Sequence, residues 1–183
     1  MALVVLLRGV NVGGHRTFRP TTLVRQLKHL DAVNIGAAGT FVIRKAISRT
    51  QLRDEFARRL PFDAEIMICQ GREIISLVSQ EPFADHAARR DIIRFVSVLS
   101  RSPRLASSTP VSLPSEGKWL LKILGRQNRF VFGLYRRQMK AIGYLGKLDR
   151  IFGVPVTTRN WNTIAAIATV LDDGLGCAHC SLA

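Results

Sequence analysis

The feature that most constrains this chain is the way its first 69 residues alternate between apolar runs of strand length and apolar stripes at helical spacing. Leu3 to Leu7 is a continuous apolar run, as a strand buried on both faces requires. A glycine-rich loop follows, and Pro20 then opens a helix with Leu23, Leu27 and Leu30 on one face, because the fixed φ of proline suits the first helical turn. Two short strands are expected around Val33 to Gly36 and Thr40 to Arg44. Ser48 and Gln51 carry the spacing of a capping box and open a second helix, whose inner face is Leu52, Phe56 and Leu60. Glu65 to Cys69 reads as a further strand, so the order is β-α-β-β-α-β and predicts a ferredoxin-like unit.

The rest of the chain gives a second set of elements. A helix is expected from Arg72 to about Gln80, stopped by Pro82, and a long buried strand from Asp91 to Leu99. Arg101 to Gly117 is rich in Ser and Pro without periodicity and reads as a long loop. Trp119, Leu121 and Ile123, then Phe130, Phe132 and Leu134, alternate on either side of a turn expected at Gly125 to Asn128. A final helix over about Asn160 to Leu171 places Trp161, Ile164, Ala165, Ala168 and Leu171 at helical spacing. No repeat is evident between the halves, and no structural signal continues past Asp172. The expected architecture is α+β: a ferredoxin-like subdomain over 1–69, packed on a second small α+β half over 70–172, with a tail over 173–183.

A chain of 183 residues that is 47% hydrophobic can bury a substantial core, which argues against a disordered or fibrous protein. Its longest apolar runs, Ala2 to Leu7 and Ile164 to Leu171, fall far short of the roughly 20 residues that span a bilayer. The N-terminus lacks the basic region of a secretory signal, and the cysteines Cys69, Cys177 and Cys180 are too few for a disulfide framework. A cytoplasmic protein that does not enter a membrane is expected. The formal net charge of +14 draws nucleic acid, anionic membrane surfaces and phosphorylated small molecules alike. That charge is spread along the chain, with 11 Lys and Arg against 5 Asp and Glu over 1–69 and 16 against 8 over 70–183.

Two polar motifs stand out against this background. The first is Arg8-Gly9-Val10-Asn11-Val12-Gly13-Gly14, where glycines can turn backbone N–H groups toward an anion and Arg8 adds charge. Gly9 and Gly14 have P-loop spacing, but His15 and Arg16 stand where a lysine and a hydroxyl are needed, and no dinucleotide fingerprint is present. The glycines otherwise serve only a tight strand-to-helix connection. The second motif is Thr157-Thr158-Arg159-Asn160-Trp161-Asn162-Thr163, where a threonine at 157 or 158 can cap the last helix. Arg159, Asn160 and Asn162 beside a helix N-terminus then suit an anionic or amide-bearing ligand.

These two motifs, their separation and the β-α-β-β-α-β opening resemble the bacterial domain-of-unknown-function family 1697, over about residues 2 to 172. The resemblance implies a cytoplasmic α+β protein without an assigned reaction. Where that family carries a Ser-Gly-Asn turn before its third strand, this chain has Ala38-Gly39-Thr40, which removes the serine and the asparagine from any shared site.

A basic stretch between Lys118 and Arg150 includes Lys122, Arg126, Arg129, Arg136 and Arg137 among aromatic residues, a combination that can track a phosphate backbone. Arg129-Phe130-Val131-Phe132 does not fit the RNA-recognition signature, and its phenylalanines suit the hairpin core. Cys177-Ala178-His179-Cys180 could be a redox pair or half of a zinc site but reads as a tail feature, and no metal or cofactor is expected. No acid and base pair can be named. The reading is an anionic-ligand binder whose polar walls are Arg8, Gly9, Asn11, Gly13 and Gly14 with Arg159, Asn160 and Asn162. The alternatives are nonspecific nucleic-acid binding by surface charge, or an enzyme on a phosphorylated small molecule in which Arg8 and Arg159 stabilise charge.

Overall fold

The computed structural model describes residues 1–10, 18–102 and 110–176. They form a mixed α+β structure with two antiparallel sheets. The chain divides into two compact units, one made of Met1–Ser76 with Ala165–Ala183 and the other of Leu77–Ile164. Among the described residues no helix is long and apolar enough to cross a membrane.

The first unit opens with strand β1 (Leu3–Arg8), helix α1 (Pro20–Gln26), β2 (Ala32–Asn34), β3 (Thr40–Ile43), helix α2 (Arg49–Arg59), β4 (Glu65–Gln70) and helix α3 (Gly71–Ser79). Its sheet runs β2-β3-β1-β4, with Val5 opposite both Phe41 and Ile68. Leu3 to Leu7 are all buried, which is why this strand shows no alternation in the sequence. Leu23, Leu27, Leu52 and Phe56 bring the inner faces of the two helical segments into the core of this sheet. Phe56 meets Phe41 edge to face at 5.3 Å. The capping box forms as its spacing requires: the Gln51 N–H donates to Ser48 Oγ at 3.2 Å, and the Ser48 N–H to Gln51 Oε1 at 3.3 Å.

The Ala38-Gly39-Thr40 turn packs closely against the end of β1. Gly39 sits at φ +68° and its carbonyl accepts from the Leu7 N–H at 2.8 Å. A Cβ there would lie 2.7 Å from Val10 and 2.9 Å from Leu7. Only glycine satisfies both the left-handed backbone and that approach.

The second unit contains β5 (Ile92–Leu99), β6 (Val111–Leu113), β7 (Leu121–Gln127), β8 (Phe130–Arg136), helices α4 (Met139–Leu145) and α5 (Leu148–Phe152), and β9 (Val156–Asn160). The last helix, α6 (Trp161–Gly176), begins in this unit, and the boundary between units falls inside it. The sheet order is β6-β7-β8-β5-β9. Phe95, Leu99, Leu121, Ile123 and Val131 make its core with Leu148 and Phe152.

Four expectations are corrected here. Part of the supposed loop at Arg101 to Gly117 is strand β6, three half-buried residues between Pro110 and Pro114 that are too short for a periodic signal. The hairpin turns at Asn128 and Arg129, with Asn128 at φ +52°, rather than at Gly125. Gly125 lies in β7 at a bulge, where the Phe132 ring leaves no room for a Cβ. Thr157 and Thr158 belong to β9 and do not cap the helix: Asn160 Oδ1 does, accepting from the Thr163 N–H at 3.0 Å. Finally, α6 continues to Gly176, past Asp172.

Candidate functional site

Strand register gathers one set of polar residues at a single end of the second sheet. Ile92 pairs with Arg136 and Phe95 with Asn160, so the start of β5, the end of β8 and the end of β9 converge. Arg137 follows directly, its N–H donating to the Asp91 carbonyl at 2.9 Å. The result is a pocket of ≈170 Å³ whose polar lining includes Arg89, Arg94, Arg137, Asn160 and Asn162. Ile92, Ile93 and the half-buried Trp161 supply its apolar surface. No acidic side chain is among its lining residues.

The three arginines are held differently. Arg89 forks onto Asp91, with Nε 3.0 Å from Oδ1 and Nη2 3.2 Å from Oδ2. That hydrogen bond holds the Asp91 carboxyl below the usual carboxylate range; partial burial opposes it and nearby Arg136 assists. The Arg94 guanidinium lies over the Phe83 ring, 5.7 Å from its centroid, and Phe83 in turn meets Trp161 edge to face at 5.0 Å. Among the described residues neither Arg94 nor Arg137 forms an ion pair with a carboxylate. Two guanidinium groups without a carboxylate partner and two amides therefore line one small pocket at the start of a long helix.

The structure sorts the sequence-derived candidates into distinct places. Asn160 and Asn162 line this pocket together with Arg137, which the sequence grouped with the basic hairpin instead. Arg159 does not line it. It is 7% exposed and donates Nη1 to Thr157 Oγ1 and to the Thr158 carbonyl, both at 2.9 Å. Burial pulls its pKa down to about 10, so it stays charged at neutral pH. Arg8, at the end of β1 in the first unit, pairs with Glu65, and Gly9 has φ +65°. Asn11, Gly13 and Gly14 lie outside the described residues, as do Cys177 and Cys180.

Of the basic hairpin residues, Arg136 is occupied: Nε donates to the Trp119 carbonyl at 2.9 Å and the guanidinium stacks 4.5 Å over the Trp119 ring. Lys122 and Arg129 are half-buried and Arg126 is exposed. Arg89 and Arg94 were missed by sequence reasoning. Their signal was a run of arginines at 89, 90 and 94 flanking the start of a buried strand.

Fold and pocket together define a basic α+β protein with two antiparallel sheets and a small arginine-lined cleft. The family described as protein of unknown function (DUF1697) matches residues 1–118, and the chain belongs to that family. The match ends before Thr157 to Thr163. The solved structure of the conserved bacterial protein SP0830 from Streptococcus pneumoniae is similar at a TM-score of 0.58 and 16% identity, covering 93% of this chain and 98% of that one. At that identity the likeness shows a shared fold. No curated protein matches the chain.

Proposed function

We propose that this protein binds a small anionic ligand, phosphate- or carboxylate-bearing, in the arginine-lined pocket of its second unit. The observation that carries this reading is the presence of Arg94 and Arg137 in a pocket lined by no acid, beside the start of α6. An anion there would accept charge-assisted hydrogen bonds from both guanidinium groups and from the Asn162 amide. At ≈170 Å³ the pocket is below the roughly 300–1,000 Å³ of drug-sized sites, which favours a headgroup over a whole nucleotide.

Titration of the full chain with inorganic phosphate, followed by calorimetry, tests the reading. Arg94→Ala and Arg137→Ala should each weaken binding by about tenfold or more, the worth of one hydrogen bond to a charged group. Asn11→Ala should leave it unchanged if this pocket alone holds the anion. Equal binding by all three variants and the wild type would remove the proposal. Binding to nucleic acid through general surface charge would instead survive both arginine changes and fall steeply with salt whatever the base sequence.

The sheet order β2-β3-β1-β4, with two helices in the intervals β1 to β2 and β3 to β4, supports a ferredoxin-like reading of the first unit. It carries no function by itself.

A further inference from the structure

The first unit holds a larger cavity, of ≈380 Å³, that the anion reading does not use. Its surface is mostly apolar, with Met1, Ala2, Ile75 and Leu171 in the lining, and its charged side chains are Arg44 and Arg72. Arg72 is partly spent, its Nε donating to Gln70 Oε1 at 2.5 Å. Arg44 is not so well served. It follows the last residue of β3, is half-buried, and reaches the Val170 carbonyl through Nη2 only at a long 3.4 Å. Its Nε is buried with no hydrogen-bond partner, and among the described residues no carboxylate pairs with it. A half-buried guanidinium with no carboxylate partner keeps an unmet preference for an anionic acceptor. The start of α3 is already satisfied: the Gln70 N–H donates to Glu73 at 2.7 Å and the Gly71 N–H to the Ala2 carbonyl at 2.9 Å.

We infer that this cavity takes a monocarboxylate with an apolar tail, the carboxylate accepting from Arg44 and the tail lying against Ile75 and Leu171. Each half of the site selects one half of the ligand. A neutral apolar molecule leaves the Arg44 guanidinium without an anionic acceptor, and a bare phosphate has to leave water for walls that are mostly apolar. The volume falls within the roughly 300–1,000 Å³ of small-molecule sites. No reaction is implied.

Calorimetric titration of the full chain with sodium octanoate, sodium butyrate and 1-octanol is the test. Octanoate should bind about tenfold or more tightly than either the short acid or the alcohol, since each lacks one of the two contacts. Arg44→Met should weaken octanoate by a similar factor, and Arg44→Lys by less. Equal binding of octanol and octanoate, or of butyrate and octanoate, overturns the inference with no variant required. So does loss of octanoate binding in Arg137→Ala rather than Arg44→Met, which would move the ligand to the second unit. Intermolecular contacts from the octanoate methyl to Ile75 and Leu171 by nuclear magnetic resonance locate the tail, and their absence in the bound state counts against it.

Discussion

The two pockets use the same residue type in opposite surroundings. In the second unit, three arginines line a small polar notch of ≈170 Å³, two of them steadied from outside: Arg89 by Asp91 and Arg94 by the Phe83 ring. In the first, the half-buried Arg44 lines a mostly apolar cavity of ≈380 Å³. Guanidinium groups in contact with water attract any anion, and salt screens them. A guanidinium against apolar walls is screened less and rewards a ligand that brings hydrocarbon along with its charge. Counting arginines would therefore mislead about specificity, because burial decides what each one can select.

The widest separation between the two regions should be in tolerance to change. Gly39→Ala, in the first unit, sets a side chain at φ +68° and 2.7 Å from Val10, so it combines backbone strain with overpacking. A loss of about 2 kcal/mol or more is expected in urea denaturation. Arg137→Ala, at the exposed rim of the second pocket, should stay within about 0.5 kcal/mol of the parent. Comparable losses from the two would mean that the second notch is as tightly packed as the first unit's turn. The next contrast is ionic strength. Raising sodium chloride from 50 to 300 mM, roughly a halving of the Debye length, should weaken phosphate binding several-fold and octanoate binding by less than about twofold. Parallel salt curves would erase the distinction.

How much of this was legible in the sequence follows the same division. Local signals were read well: the uninterrupted run of β1, proline at the head of α1, and the Ser48 and Gln51 box each act within a few residues. Two elements that depend on distant partners were not. β9 carries threonines and an arginine that look like a helix cap, yet five of its residues pair with β5 more than fifty positions away. β6 has no periodicity, and only its partner β7 makes it a strand. The pocket shows the same limit. Asn160 and Asn162 could be chosen because amides at a helix start are locally odd, whereas Arg89 and Arg94 join them only through the register of β5 against β8 and β9. Arg159 was misleading because its neighbours are polar while its side chain is buried.

The smallest contrast lies in acid. Among the described residues, Glu55 in the first unit and Asp91 in the second are each gripped by more than one cation. Glu55 accepts from Arg58 at 2.5 Å, Arg59 at 2.8 Å and His29 at 3.0 Å; its side chain is 16% exposed. Burial pushes its pKa up, but Arg59, His29 and Arg58 together outweigh that and leave it lowered. Asp91, held by Arg89 and lying 3.5 Å from Arg136, is also lowered and is 50% exposed. A carboxyl whose folded pKa lies below its unfolded value binds fewer protons when folded. Its contribution is therefore complete above the unfolded value, near pH 4, and is lost as the pH falls through the folded one. Glu55→Gln and Asp91→Asn should each flatten the acid side of the stability curve below about pH 4 and change little at pH 7 in slope. The Asp91 effect should be the smaller and should vanish in 0.5 M salt, because an exposed pair is screened, while part of the Glu55 effect persists. Acid titrations of urea stability at two salt concentrations measure this, and identical salt sensitivity for the two variants would show that burial does not separate the units in the way their pockets suggest.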